Sequence, residues 1–265
     1  VNFHSRKGPR NRFQINFRNH RKIVLVDGVT CWVGGHNVGD AYLGKGEKFP
    51  HWRDTHLKVS GPATLAVQLS FLEDYHWATD SFLELDWQSA LEEKGGSPIL
   101  VIPSGPADKL ETASLMFTQA INSAQERIWI ASPYFVPDRG IVAALRGVDV
   151  PILIPDEPDH KIVYLAAFSY IRKFDQFPNI RFYRYTKGFM HQKAMLIDDH
   201  TAAVGTANFD NRSFRLNFEL TVLVPDRTFN SEVAEMFKED FRHSRVMQPG
   251  EVEDKPYWFR LLVRL

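Results

Sequence analysis

The chain has 265 residues, with 32 Lys+Arg against 32 Asp+Glu, 44% hydrophobic and 24% charged residues. That balance belongs to a soluble globular protein of one large or two modest domains and excludes a disordered, collagenous or coiled-coil chain. Zero net charge argues against a surface coated in basic residues for nucleic acid, and a single cysteine, Cys31, excludes an intramolecular disulfide framework.

In chain order, the first 22 residues hold Arg6, Lys7, Arg10, Arg12, Arg18, Arg21 and Lys22, interleaved with Phe3, Phe13 and Phe17, and no acid precedes Asp27. This reads as a basic, aromatic approach to anionic headgroups at a membrane surface. The run from His20 to Val26 is predicted to be a buried strand. Asp27-Gly28 is a two-residue hairpin signal, which predicts Val26 facing Val29, Lys22 facing Val33 and His20 facing Gly35. Pro62 to Ala78 is predicted helical, with Leu65, Leu69 and Leu72 on one stripe. Glu92 to Pro98 reads as a linker. Beyond it, strands are predicted at Ile99 to Ile102, Arg127 to Ala131, Val150 to Ile154, Ile180 to Tyr185 and Leu220 to Val224. Helices are predicted at Glu111 to Ala124, Arg139 to Arg146, His160 to Phe174 and Asn230 to His243. Alternation of this kind implies an α/β fold with a sheet covered on both faces. No window reaches the ~18 apolar residues of a membrane span.

An internal repeat organises the chain. His20, Lys22, Asp27, Gly34 and Asn37 recur as His191, Lys193, Asp198, Gly205 and Asn208, each pair 171 positions apart. A gapless match of this length predicts two domains of one design, expected at residues 1–94 and 98–250. The second half has about ninety residues ahead of its motif and the first only nineteen. The front of the first domain is therefore expected to be missing, and the opening Val1 reads as a processed chain or a fragment.

Strand alternation puts His20 and Lys22 on one face and His191 and Lys193 on one face. Each hairpin thus gathers an imidazole, an ammonium and a side-chain amide, with a glycine permitting close backbone approach. Two such clusters meeting face to face suit a phosphodiester. Lys and Asn donors stabilise the charge that accumulates on the equatorial oxygens without a metal. One neutral imidazole attacks phosphorus, and the other, protonated, serves the leaving and incoming oxygens. Imidazole suits both tasks because its ordinary pKa is about 6.5. Asp27 and Asp198 point away from the His/Lys face and read as turn residues as readily as catalytic ones. Asp54 and Glu219 follow the two hairpins; each either holds the far nitrogen of a histidine or makes a structural ion pair. Arg212 and Arg215 either reach phosphate or bridge Asp210 or Glu219. Phe182, Tyr183, Tyr185, Phe189 and Met190 line an acyl groove or pack a core. His36, His51, His56 and His76 lack metal-ligand spacing, and Gly34 to Gly39 lacks the Lys-Ser/Thr of a P-loop. No metal and no cofactor is expected.

The two segments, H-x-K-x4-D-x6-G-[GT]-x-N, look like the paired HKD motifs of the phospholipase D superfamily. The strings Asn37-Val38-Gly39-Asp40, Trp52-Arg53-Asp54-Thr55-His56, Ser132-Pro133-Tyr134-Phe135-Val136-Pro137, Ile154 to His160, Gly188 to Lys193 and Asn208 to Arg215 resemble bacterial cardiolipin synthases. The resemblance implies two pseudo-twofold related phospholipase D-like domains, each a mixed sheet flanked by helices, the first truncated at its N-terminus. It implies a phosphohistidine intermediate and phosphatidyl transfer from one phosphatidylglycerol to another, giving cardiolipin and glycerol. His20, Lys22, Asp27, His191, Lys193 and Asp198 would be the catalytic set, and Asn37, Asn208, Thr206 and Glu219 the substrate-binding one. By position His20 would be the nucleophile and His191 the acid/base, though the residues themselves leave the reverse open. The partners implied are phosphatidylglycerol and anionic membrane lipid, not nucleic acid. Attachment to the bacterial cell membrane would be peripheral for this span, with anchors in the preceding part. A hydrolase or nuclease of the same superfamily, using water, is the alternative; a non-catalytic membrane-binding fragment is a third.

Overall fold

The computed structural model describes residues 17–88 and 96–264. The first stretch holds β1 (Arg18–Asn19), β2 (Ile23–Val26), β3 (Thr30–Gly34), β4 (Trp52–Arg53), β5 (His56–Ser60) and α1 (Thr64–Thr79). The second opens with β6 (Leu100–Ser104), α2 (Thr112–Asn122), β7 (Ile128–Ala131), β8 (Phe135–Val136), α3 (Arg139–Ala144), β9 (Val150–Pro155) and α4 (Lys161–Phe174). It continues with β10 (Ile180–Tyr185), β11 (Phe189–Met190), β12 (Ala194–Ile197), β13 (Thr201–Gly205), β14 (Phe209–Asp210) and α5 (Asn211–Arg215). It closes with β15 (Asn217–Val224), α6 (Arg227–Arg242), β16 (Ser244–Val246) and α7 (Tyr257–Arg264). Every predicted strand and helix of the second half is present. Asp138, Asp210 and Asp226 start α3, α5 and α6 by accepting from the backbone N–H three residues on, the usual role of an N-cap carboxylate.

The main sheet runs β1-β15-β13-β12-β7-β9-β10-β16, with β6 also on β15. Its β7, β9 and β10 are parallel, as expected where helices cross over between them. Side-chain alternation serves two cores. Ile128, Ile130, Met195, Ile197, Ala203 and Leu223 face a cluster with residues of α2, α3, α4 and α7. On the opposite face Ala131, Ala194, Leu196, Ala202 and Val204 pack on Val233, Ala234 and Phe237 of α6. There too Leu220, Val222 and Val224 meet Cys31, Val33 and Val59 of a separate three-stranded sheet, β2-β3-β5. The two parts of the chain are therefore joined by apolar packing, and β1 from the first part pairs directly with β15.

Several expectations shift. Asp27 (φ 52°) and Gly28 (φ 67°) form the predicted turn, closed by Val29 N–H on Val26 O at 3.1 Å. Val29 is then an extra residue, so Val26 pairs with Thr30 and Val33 faces Ile23 rather than Lys22. The second hairpin has the same three-residue form, Ile197 pairing with Thr201. The predicted buried strand is buried only in its second copy. β12 lies between β13 and β7 and is buried throughout. β2 pairs only with β3 among the described residues, and leaves Val24 (52%) and Val26 (44%) exposed. In α1 the buried positions are Thr64, Val67, Gln68 and Ser70. Leu69, on the predicted stripe, is exposed; the inner face is polar because Thr64 bonds Gly28 O, Gln68 bonds Asp86 O and Arg21 reaches Ser70 O. Residues past 250 continue the second unit, with Val252, Phe259 and Val263 in its core. The basic residues 6–12, Phe3 and Phe13, and most of the predicted linker lie outside the described residues. Arg21 of that basic run is turned inward onto Asp74.

Candidate active site

Two very short parallel pairings build the site. β1 runs beside the start of β15, with Arg18 opposite Asn217 and Asn19 opposite Phe218. The next residues on the two segments are His20 and Glu219. β11 runs beside β4, with Phe189 opposite Trp52 and Met190 opposite Arg53. The next residues there are His191 and Asp54. Each histidine thus receives its carboxylate from the other part of the chain.

His20 Nδ1 lies 2.9 Å from both oxygens of Glu219. His191 Nδ1 lies 2.8 Å from Asp54 Oδ2. An ionised carboxylate only accepts, so both rings carry their proton on Nδ1 and present the Nε2 lone pair. The carboxylates are themselves held. Glu219 accepts from Thr206 Oγ1 at 2.6 Å and Asn217 Nδ2 at 3.0 Å. Asp54 accepts from Thr55 N at 2.9 Å and Trp52 Nε1 at 3.4 Å. Gly35 closes the two sides together, for a Cβ there would overlap Asp54 Oδ1 and the His191 carbonyl. The close approach predicted for this glycine is made against Asp54 and the His191 backbone.

The lysines fold back identically, Lys22 Nζ onto His20 O at 2.6 Å and Lys193 Nζ onto His191 O at 2.5 Å. They share one electrostatic field. Burial lowers the Lys22 pKa to about 8 against the opposing pull of Glu219 and Asp54. Burial lowers Lys193 further, to about 7, with Asp54 opposing and Lys22 adding to the fall. His191 is lowered to about 4 by burial and by Lys193, despite Asp54. Burial alone would raise the Asp54 and Glu219 carboxyls, but their histidines and the lysines outweigh it and hold both below the ordinary range. Burial is the largest cause of all three falls; Lys22 adds to those of Lys193 and His191, and the carboxylates oppose them.

The remaining predicted residues divide. Asn37 is half-buried at the end of the first hairpin. Asn208 is 4% exposed and its Oδ1 has no hydrogen-bond partner. Thr206 and Glu219, predicted as substrate-binding, are fully buried; they stand behind His20 and hold its ring. Asp27 and Asp198, predicted as catalytic, lie in the hairpin turns at left-handed φ. Asp198 accepts from the backbone N–H groups of Gln125, Glu126 and Arg127, each at 2.9 Å; its carboxylate serves the fold. Arg215 pairs with Glu111, away from Asp210 and Glu219. Phe182, Tyr185, Phe189 and Met190 are core residues rather than a groove, and Tyr183 packs at a tilt against Phe241. Among the described residues no cluster of three or more His, Cys, Asp or Glu is arranged to hold a metal ion.

Residues 117–241 match the family described as cardiolipin synthase, PLD-like domain. Cardiolipin synthase A of Pseudomonas putida is 49% identical over 263 residues, covering 95% of this chain and 53% of that protein. Cardiolipin synthase A of Pseudomonas fluorescens is 52% identical over 244 residues, covering 90% and 50%. The chain spans about half the length of these relatives. The crystal structure of phosphatidylserine synthase from Haemophilus influenzae shares the fold, with a TM-score of 0.69 at 17% identity over 94% of this chain and 68% of that one. The chain belongs to the phospholipase D superfamily. Within it, the sequence is most like the bacterial cardiolipin synthases.

This superfamily site has a support that sequence alone does not reveal. Arg53, next to Asp54, makes a bidentate pair with Asp240 of α6 (2.7 and 2.9 Å), and Gln192, next to His191, donates to Asp240 Oδ2 at 3.0 Å. Asp240 is 2% exposed, so one buried carboxylate clamps both neighbours of the His191–Asp54 pair. Arg53 and Gln192 carry a signal, since each adjoins a predicted site residue. Asp240 carries none, because only the packing of α6 brings it there.

Proposed function

We propose that this chain carries the catalytic centre of a cardiolipin synthase, transferring the phosphatidyl group of one phosphatidylglycerol to the glycerol hydroxyl of another. One observation supports this above the rest: two imidazoles are each held at Nδ1 by a carboxylate from the other part of the chain, with half-buried Lys22 and buried Lys193 near both pairs. The two parts, residues 1–94 and 98 onward through α7, act as the two phospholipase D-like units, each supplying one hairpin.

His20 Nε2 attacks phosphorus, the P–O bond to glycerol breaks, and the leaving oxygen takes a proton from His191 Nε2. Lys22, Lys193, Asn37 and Asn208 bind the non-bridging oxygens. In the second step the glycerol hydroxyl of the acceptor gives its proton to His191, its oxygen bonds phosphorus, and the N–P bond to His20 breaks. A phosphodiester anion between Lys22 and Lys193 offsets the lysine charge that adds to burial in lowering His191, and so favours the protonated acid. Attachment to the bacterial membrane is peripheral for this span: among the described residues no helix is long and apolar enough to cross a bilayer.

The test is incubation of the purified protein with phosphatidylglycerol vesicles, following glycerol and cardiolipin together. Equal amounts of both are expected. Phosphatidic acid in place of cardiolipin would make the protein a hydrolase; neither product from folded protein would remove the reading.

A further inference from the structure

Two histidines explain attack and proton transfer, but not why a glycerol hydroxyl is chosen over water. Water fits any site that admits a hydroxyl, so selection needs groups that bind the rest of the acceptor. Two polar side chains outside the phosphate cluster lie near it, one just ahead of the Phe135–Phe209 pairing that follows Asn208 and the other within electrostatic reach of Lys193. Tyr134 lies between β7 and β8, and Asp159 between β9 and α4. Tyr134 Oη donates to Asp159 Oδ2 at 2.5 Å.

Their positions are fixed from both sides of the site. Ser132 Oγ donates to Tyr134 O at 2.6 Å and accepts from Phe209 N at 2.9 Å, tying Tyr134 to the residue after Asn208. The Asp159 loop is held from the first part of the chain, where Lys48 Nζ donates to Pro158 O at 2.6 Å. Asp159 is near enough to Lys193 to support its charge. Tyr134 feels Asp210, which in turn feels His20. With Pro133, Pro158, His160 and Tyr164 the pair lines an open cleft.

The chemistry of the pair does not suit phosphate. A carboxylate repels an anion, and Asp159 lies within electrostatic reach of Lys193, which already takes one in the phosphatidyl-transfer reading. What a carboxylate binds well is a hydroxyl group, and adjacent carboxylate and phenol oxygens match a diol. Burial, together with Asp159, pushes the Tyr134 phenol far above its ordinary value, so it stays a donor.

We propose that Tyr134 and Asp159 form the polyol subsite that holds the glycerol headgroup of the acceptor. This rests on the phosphatidyl-transfer reading above. Asp159 accepts from the secondary hydroxyl and Tyr134 Oη shares it, which leaves the terminal hydroxyl at phosphorus. There its oxygen forms the new P–O bond as the His20 N–P bond breaks, and its proton passes to His191 Nε2. By microscopic reversibility the departing glycerol leaves through the same subsite. Water gains nothing from the pair.

The experiment feeds the full chain a short-chain phosphatidyl-p-nitrophenol, whose leaving group has no diol, and adds phosphatidylglycerol as acceptor. The ratio of cardiolipin-type product to phosphatidic acid is read, because it measures partition of the shared intermediate and not its rate of formation. Asp159→Asn and Tyr134→Phe are each expected to lower that ratio roughly tenfold, about the worth of one hydrogen bond to a charged group. A ratio within twofold of wild type in both variants overturns the subsite. So does loss of both products in the two folded variants alike, which would put the pair in the phosphate chemistry. Wild-type protein that releases p-nitrophenol yet transfers to no acceptor overturns the transfer reading itself, and the subsite with it.

Discussion

Replacing Glu219 by glutamine removes a charge while keeping the volume of a side chain with no exposed surface. The carboxylate takes hydrogen bonds from His20 Nδ1, Thr206 Oγ1 and Asn217 Nδ2 at 2.6 to 3.0 Å. A glutamine offers one accepting oxygen and sets an NH2 group among these donors. Two losses follow. The charge-assisted bond that steadies an imidazolium is worth about 1.5–3 kcal/mol, or roughly 10- to 150-fold in rate at about 1.4 kcal/mol per decade. In addition, the amide NH2 can donate to Nδ1, which moves the ring proton to Nε2 and blocks the lone pair that attacks phosphorus. The assay is single-turnover formation of phosphatidyl-histidine from a short-chain phosphatidyl-p-nitrophenol, with a thermal melt to show that the variant folds. A fall of at least tenfold is expected. Intermediate formation within threefold of wild type would refute the assignment of His20 as a nucleophile held by Glu219.

Asp240→Ala leaves the Arg53 guanidinium and the Gln192 amide without their shared partner; we expect a loss of about 3 kcal/mol, the usual cost of breaking a buried pair, read as a lowered urea midpoint. Gly35→Ala puts a Cβ against Asp54 Oδ1 and the His191 carbonyl; activity should fall more than tenfold while far-UV circular dichroism is kept. The lysine pKa values, about 7 and about 8 against 10.5 unfolded, mean that the unfolded chain binds more protons between those limits. Stability should therefore rise with pH from 7 towards 10.5, and the rise should shrink in Lys193→Met, as measured by chemical denaturation at each pH. On the acid side His191, at about 4 against 6.5, makes stability fall as pH drops through that window. Asp54 and Glu219, both held below their ordinary values, add a loss below the unfolded carboxylate range. His191→Gln should flatten the part between 6.5 and 4.

Legibility varied with how local the cause was. Asp27-Gly28 announces its turn because two consecutive left-handed residues are a local demand. The extra loop residue Val29, which moves the pairing by one, is set by how the strands twist together. Apolar runs such as Val150 to Ile154 give their strands directly. The stripe Leu65, Leu69 and Leu72 misleads because α1 rests on the polar groups of Gly28, Asp86 and Arg21, which no helical period records. The aromatic run before the second motif reads equally as groove or core, since composition cannot say on which side of a sheet a ring will lie.

By itself the sequence determined the two hairpins, their shared inventory of imidazole, ammonium and amide, and the α/β alternation around the second of them; all of these follow from spacing within a few residues. The tertiary structure alone decided that His20 is served by Glu219 and His191 by Asp54, and that Asp240 clamps the second pair. Those partners lie 199, 137 and 48 or more residues apart, and hydrogen bonds of two- or three-residue bridges carry no periodic signal in the chain that makes them.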